Sequence, residues 1–239
     1  MKSLVILGDG MSDRPVAALG GKTPLQVADK PHIDRIAREG VTGRFVTIPE
    51  GLSNGSAVAN LSVLGYDPAV CFSGRGTLEA ASMGVDLAAQ DVALRCNLIC
   101  LTDDGAIKNH SAGHIATEEA RELIDDLQRE LGGGSDRHVA FHAGVSYRHL
   151  LVLTGGWASP EVACAPPHDH VGEAVRDLMP RARRPEAEAT AERLQELYAA
   201  AAEILADHPV NRARRERGDD PASAMWVWSP GRRPTMQTF

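Results

Sequence analysis

The feature that most constrains the fold is an apolar run near the start of the chain, residues 3–7 (SLVIL), which Gly8 closes. A continuous run of this length is typical of a strand that is buried on both faces of a parallel sheet. Residues 30–40 then predict a helix, residues 43–49 a second strand, and a further helix extends to about Val63. Because strand and helix alternate, the first part of the chain predicts an α/β fold with a mostly parallel sheet.

The pattern changes from about Asp91, where long strands and helices no longer alternate one by one. The predicted elements are strands at 91–101, 137–144, 147–155 and 224–230, and helices that begin near Thr117, Pro185 and Asn211. Residues 132–136 (GGGSD) predict a loop, and the two strands after it are expected to pair antiparallel. Thr117 is a candidate N-cap, because threonine accepts hydrogen bonds from the first helical turn. This half of the chain predicts an α+β domain.

Charge and hydropathy argue against two broad classes of protein. The net charge of -7 does not suit a general nucleic-acid binder, because affinity for phosphate backbones needs a basic surface. The apolar runs are shorter than the roughly 18–20 residues that cross a bilayer, and the first is too short for a signal-peptide core. We therefore expect a cytoplasmic protein with no membrane partner, in which the four cysteines are reduced and mostly buried.

Asp9 stands between two glycines at the end of the first predicted strand. Ligands of open α/β sheets gather at the carboxyl ends of strands, so a carboxylate there is well placed to hold a divalent metal. The alternative is an ordinary turn, since Asp-Gly is a common turn pair. The motif alone favours the turn.

Ser56 follows Gly55 where a helix is expected to begin. The serine has two interpretations, a helix cap or a nucleophile. The free N–H groups and positive dipole at a helix start favour both an alkoxide and a phosphate group, and a bound cation would lower the hydroxyl pKa further. Serine is also a preferred N-cap, so the residue by itself favours the cap.

Histidines and arginines supply further candidates in the second half. Those considered are His110, His114, Arg148, His149, His168 and His170, with the pair Arg232 and Arg233. Arginine binds phosphate and carboxylate through two parallel hydrogen bonds, and histidine can donate to a phosphate oxygen. The arginine-rich runs 181–184 and 212–217 are expected to be solvated helix surface, as charge runs usually are.

Ten motifs, in order along nearly the whole chain, turn these candidates into a family resemblance. They are LGDGMSDRP, LGGKTPLQVADKPHIDRIAREG, GSAVANLSVLGYDP, GRGTLEAASMGV, RCNLICL, SAGHIATEEARELI, GVSYRHLLVL, PPHDHVG, DHPVN and MWVWSPGRRP. Together they resemble the archaeal-type 2,3-bisphosphoglycerate-independent phosphoglycerate mutases of the alkaline phosphatase superfamily.

The resemblance implies a fold and a chemistry. Residues 1–84 would be the N-terminal part of a phosphatase-like domain with a parallel sheet, and residues 85–239 an inserted α+β domain that closes over the substrate. A phosphoserine at Ser56 would interconvert 3-phosphoglycerate and 2-phosphoglycerate, with two Mn²⁺ or Mg²⁺ ions and without 2,3-bisphosphoglycerate. Asp9 and Ser56 would bind metal, and His114, Arg148, Arg232 and Arg233 would bind the glycerate.

The same resemblance predicts that this chain is inactive alone. Two divalent ions in a phosphoryl-transfer site need about six or more protein ligands, and the sequence offers two that match, Asp9 and Ser56. Three interpretations stay open: the N-terminal part of a mutase, a non-catalytic module that binds a phosphometabolite or a partner, and an enzyme completed by a second polypeptide. The residues also leave open which metal binds, and whether the substrate is a related phosphorylated hydroxy acid or a phosphonate.

Overall fold

The chain divides into two compact units, Met1–Val46 and Thr47–Phe239. The computed structural model describes residues 2–52, 54–134 and 138–236. Arg137, with which the fourth predicted strand begins, and residues 135–136 of the predicted loop lie outside the described residues. The predicted domain boundary between residues 84 and 85 stays a prediction.

The first unit contains short helices: a 3-10 turn at Ala17–Leu19, α1 at Pro24–Val27 and α2 at Pro31–Glu39. Helix α2 confirms the helix predicted at residues 30–40. Its first residue is Pro31, which suits this position because the N–H that proline lacks would have no partner there.

The two strands predicted in the first unit are absent from its described residues. Residues 2–8 and 40–46 form no strand, and Leu4 and Ile6 are 84% and 83% exposed. A parallel strand forms only when a neighbouring strand accepts and donates its backbone hydrogen bonds, and the described part of this unit holds no such neighbour. The expectation of a parallel sheet there was therefore wrong, although the mixed α/β class is confirmed.

The second unit carries seven strands and seven helices among its described residues, together with a 3-10 turn at Pro185–Ala187. In chain order they are α3 Ser56–Val63, α4 Pro68–Cys71, α5 Arg75–Met83, β1 Val92–Leu101, β2 Ile107–Asn109, α6 Thr117–Leu131, β3 His138–Val145, β4 Arg148–Thr154, β5 Val162–Ala163, α7 Val175–Leu178, β6 Arg181–Ala182, α8 Glu188–Ala206, α9 Pro209–Arg217 and β7 Ala224–Gly231. The long strands and helices predicted from about Asp91 onward are confirmed. None of the helices that the structure describes is long and apolar enough to cross a membrane.

Five of these strands form one antiparallel sheet around β1. Strand β1 pairs with β2, β4 and β7, and β4 also pairs with β3, as predicted. Thr117 is the first residue of α6 and not its N-cap, which is Ala116. Its hydroxyl accepts the N–H of Ser146 instead, at 3.1 Å, and so ties the helix to the β3–β4 turn.

The two faces of β1 pack against different parts of the protein, because alternate side chains of a strand point in opposite directions. Leu94, Cys96 and Leu98 pack into the main core with α6 and α8. On the other face, Ala93 packs near α5 in a smaller core with Ala80 and Leu150. Arg95 and Asn97 share the face of Ala93, so the strand places them outside the main core.

Gly76 sets how closely α5 can approach β1. A Cβ at this position would lie 2.2 Å from the carbonyl oxygen of Ala93, which as a backbone atom cannot rotate away. We expect Gly76→Ala to lower the free energy of unfolding by about 1–3 kcal/mol, because overpacking forces the helix away from the sheet. Urea denaturation followed by far-UV circular dichroism would measure this.

Gly43→Ala is the matched control, since no atom lies within 4 Å of a Cβ built there. Its effect should stay within about 0.5 kcal/mol. Equal free energies of unfolding for the two variants would show that the close approach at Gly76 does not affect stability.

Candidate anion-binding site

Three arginines meet in one cavity of the second unit. This arginine cavity has a volume of about 300 Å³. It is lined by Arg75, Arg95, Asn97, His110, Tyr147, Arg148, His168 and Trp228. Since guanidinium groups are cationic at any physiological pH, their convergence makes a site for an anion.

Arg95 reaches the cavity from the middle of β1, where its backbone lies opposite Trp228 of β7. Only 9% of its surface is exposed. Its Nε lies 3.0 Å from the carboxylate of Glu79, yet this buried atom makes no hydrogen bond to any described residue. Burial lowers the pKa of the Arg95 guanidinium, with Glu79 opposing and Arg75 and Arg148 adding to the effect. The charge is therefore incompletely balanced by the protein, and an anion would complete it.

Arg75 is held where two chain segments cross. It begins α5, and its N–H donates to the hydroxyl of Ser229 at 2.8 Å. A Cβ on Gly74 would lie 2.3 Å from the carbonyl oxygen of Pro230, so the crossing requires glycine. The end of β7 thus fixes the start of α5 and, with it, the position of the Arg75 side chain.

Trp228 contacts two of the like charges. The Arg95 and Arg75 guanidinium carbons lie 5.0 and 5.4 Å from its ring centroid. The indole N–H donates to Asn97 Oδ1 at 3.1 Å, and Asn97 Nδ2 donates to the carbonyl of His110 at 3.1 Å. A buried ring that attracts both cations stabilises an arrangement that their repulsion opposes.

Aromatic contacts connect the histidines to the arginines. His168 meets the Trp228 ring edge to face at 5.1 Å, and His110 meets Tyr147 in the same way at 5.6 Å. Arg148 places its guanidinium carbon 5.3 Å from the Tyr147 centroid. Burial lowers the pKa of His110, and the neighbouring His168 and His114 lower it further. The lowered pKa favours the neutral form of His110, in which one ring nitrogen can donate to a ligand.

A second, larger cavity of about 830 Å³ shares Arg75, His168 and Trp228 with the first. We call it the serine-side cavity, because Asn54, Gly55, Ala57 and Val58, the residues around Ser56, also line it. Ser56 is the first residue of α3, and the N-cap position belongs to Gly55. The Ser56 residue is exposed and makes no cap hydrogen bond. The cap interpretation is therefore wrong, and the Ser56 hydroxyl lies at the positive end of the helix dipole.

The other predicted site residues fall in different places. Arg148 lines the arginine cavity and Arg232 lines the serine-side cavity. The His114 ring contacts the Tyr147 ring edge to face, with centroids 6.1 Å apart. Arg233 instead donates to the carbonyl of Leu87 at 3.4 Å. The structure places Arg148, Arg232 and the segment of Ser56 around two cavities that share lining residues, and their predicted roles stay predictions.

Asp9 belongs to the first unit, where it lies in an exposed turn next to Gly10. Within residues 2–52, 54–134 and 138–236, no three histidine, cysteine, aspartate or glutamate residues are grouped to hold a metal ion. The described residues therefore do not fit the two-ion site that the sequence resemblance implies.

Two arginines of the cavity were missed by sequence reasoning, Arg75 and Arg95. Arg95 left a signal, since it is a lone charge inside the apolar run DVALRCNLICL, and a buried charge needs a partner or a function. Arg75 sits between two glycines in GRG, which is typical of close chain contacts but says nothing of a ligand. His149, a candidate from the sequence, is fully buried, and burial lowers its pKa to about 3.

Comparisons with known proteins identify one family of relatives. The family model described as 2,3-bisphosphoglycerate-independent phosphoglycerate mutase matches residues 37–211. A relative of that name from Methanosarcina acetivorans is 48% identical over 239 residues, which are 100% of this chain and 57% of the relative. One from Methanothermobacter thermautotrophicus is 48% identical over 240 residues, covering 100% of this chain and 56% of that protein. The chain thus spans little more than half the length of these relatives.

A solved structure, a cofactor-independent phosphoglycerate mutase from Thermoplasma acidophilum, superposes with a TM-score of 0.62 at 30% identity. The match covers 96% of this chain and 59% of that one. The family model alone covers well over half of the chain. The chain belongs to the 2,3-bisphosphoglycerate-independent phosphoglycerate mutase family.

Proposed function

We propose that the chain carries the phosphoglycerate-binding cavity and the phosphoryl-accepting serine of a phosphoglycerate mutase. The observation that carries the proposal is the convergence of Arg75, Arg95 and Arg148 in a cavity that shares lining residues with the one around Ser56. The ligand is a glycerate with one carboxylate and one phosphate, and its charge suits three guanidinium groups, of which Arg95 is paired with Glu79.

The reaction has two balanced steps. Ser56 Oγ attacks phosphorus of 3-phosphoglycerate, the bond from phosphorus to the glycerate O3 breaks, and the serine proton ends on O3. The glycerate O2 then attacks the phosphoserine, the bond to Ser56 Oγ breaks, and the proton returns to the serine. The arginine cavity holds the glycerate between the steps, which keeps it from diffusing away and makes the second attack intramolecular.

Turnover needs metal ligands that the described residues do not supply. Since the described residues do not fit a two-metal site, we expect this chain alone to bind phosphoglycerate without turning it over. The divalent ions, the cytoplasmic location and the place in glycolysis belong to the same proposal. The second candidate function is a binding module without catalysis. It is favoured by the same observation, the lack of grouped metal ligands among the described residues.

Isothermal titration of the purified chain with 3-phosphoglycerate in metal-free buffer tests the cavity. We expect saturable one-to-one binding that Arg148→Met weakens about 10-fold, because an exposed arginine contributes one charge-assisted contact. Arg176→Met is the matched control: this exposed arginine lies outside both cavities, and its loss should leave the affinity unchanged.

Two results would contradict the proposal. One is the absence of saturable binding, and the other is an equal loss in the two arginine variants, which would indicate a diffuse charge effect. A turnover assay of the chain alone with Mn²⁺ or Mg²⁺ completes the test. Robust conversion to 2-phosphoglycerate that disappears in Ser56→Ala would overturn the expectation that the chain alone does not turn over its substrate.

A further inference from the structure

The loop between β2 and α6 has an unusual backbone. Three consecutive residues adopt the left-handed region: Ala112 with φ 46°, Gly113 with φ 63° and His114 with φ 54°. Two of the three carry a Cβ, and side chains disfavour this conformation. Such a conformation persists only where the surroundings hold it in place.

Polar contacts from outside the loop hold it. Asn109 Oδ1 accepts the N–H groups of Ser111 and Gly113, at 3.2 and 2.9 Å. Its amide nitrogen donates to Asp220 at 2.6 Å, and so does Lys108 through Nζ at 2.6 Å. The start of the loop is thus anchored to the segment that follows α9.

Arg214 closes this arrangement from α9. Only 5% of its surface is exposed. Its Nη2 donates to the carbonyl of Ala112 at 2.8 Å and its Nε to the carbonyl of Asp220 at 2.9 Å, while Nη1 pairs with the carboxylate of Glu119. The expectation of a solvated surface was therefore wrong for this member of the arginine run. Its guanidinium directly binds the first left-handed residue of the loop.

The loop places His110 in the lining of the arginine cavity and His114 next to it. Both histidines contact Tyr147, with ring centroids 5.6 and 6.1 Å away, and the Arg148 guanidinium lies over the Tyr147 ring. We propose that Arg214 is a positioning residue for phosphoglycerate binding, which acts by holding residues 112–114 so that His110 and His114 stay beside Tyr147. This inference rests on the proposed function.

The competing explanation is that Arg214 only links α9 to α6 through Glu119. Arg217 distinguishes the two explanations, because it pairs with the other oxygen of the Glu119 carboxylate, at 2.6 Å, without touching the loop. Arg217→Met therefore removes an ion pair with Glu119 and leaves the carbonyl of Ala112 bound. Arg214→Lys keeps a positive charge near Glu119 but loses the planar fork that reaches two carbonyls at once.

The test compares Arg214→Met, Arg214→Lys and Arg217→Met in the chain. The ring C2–H signals of His110 and His114 are followed by NMR, with assignments from single histidine variants, and 3-phosphoglycerate affinity by calorimetry. We expect both Arg214 variants to shift the two histidine signals and to weaken binding about 10-fold, the effect of losing hydrogen bonds to a buried group. Arg217→Met should change neither.

Histidine signals and affinity that are unchanged in folded Arg214→Lys would overturn the inference. So would an equal change in Arg217→Met, which would assign the effect to the Glu119 pair. If Arg214→Met does not fold, Arg214→Lys decides. If the wild-type chain binds no 3-phosphoglycerate, the proposed function fails, while the histidine signals still decide whether Arg214 positions the loop.

Discussion

A chimera that joins this chain to the part of the Methanosarcina acetivorans relative beyond the matched region should lose turnover when Ser56 is replaced by alanine. We expect a rate loss of about 10⁴-fold or more, the scale seen when a nucleophile is removed. The physical reason is that alanine has no atom that can form the bond to phosphorus. Conversion of 3-phosphoglycerate to 2-phosphoglycerate, followed through a coupled assay, measures it.

Ser62→Ala is the matched control, because it makes the same change in the last turn of the same helix. Its rate should stay within about twofold of the unchanged chimera. A chimera that turns over at the same rate with and without Ser56 would contradict the assigned nucleophile. A folded chimera that binds phosphoglycerate but never turns it over would favour the binding-module interpretation.

Arg95→Met should weaken binding of 3-phosphoglycerate by the chain about 100-fold, more than Arg148→Met. Arg95 is 9% exposed, whereas Arg148 is an exposed residue. A contact to a charged group is worth about 1.5–3 kcal/mol, and the upper part of that range applies where water is excluded. Titration calorimetry of both variants gives the ratio.

The same substitution should leave the chain folded. Burial lowers the pKa of Arg95, so at neutral pH, where the group is charged in both states, its burial opposes folding. Methionine removes this cost, and Glu79 loses a partner but keeps some solvent. We expect a free energy of unfolding within about 1 kcal/mol of wild type. Arg95→Met that binds as tightly as wild type, or that unfolds, would show that the residue is structural.

The elements of the second unit could be predicted because their signals are local. Strand β1 is a ten-residue run with an internal apolar face, and α6 begins at the threonine and acidic pair that the sequence offers. The strands predicted at residues 3–7 and 43–49 had equally strong apolar patterns. These two predictions were wrong because a strand needs a neighbouring strand to pair with. The pattern within one segment does not show whether that neighbour is present.

The candidate site was predictable only in part, for a related reason. Ser56 and Arg148 stand in recognisable motifs, but Arg75 and Arg95 come together through a pairing of β1 with β7 across more than a hundred residues. Arg214 shows the opposite error. Its run RARRER suggests solvent, and only the tertiary structure buries one of its four arginines against the loop of His110 and His114.

The most direct test of the account is to find where the phosphoryl group rests during turnover. The chimera is mixed with 3-phosphoglycerate and divalent metal, quenched in acid, digested and analysed by mass spectrometry. We expect one phosphorylated residue, Ser56, and no such modification in Ser56→Ala. Phosphate on another residue, or turnover that proceeds while Ser56 is never modified, would contradict it.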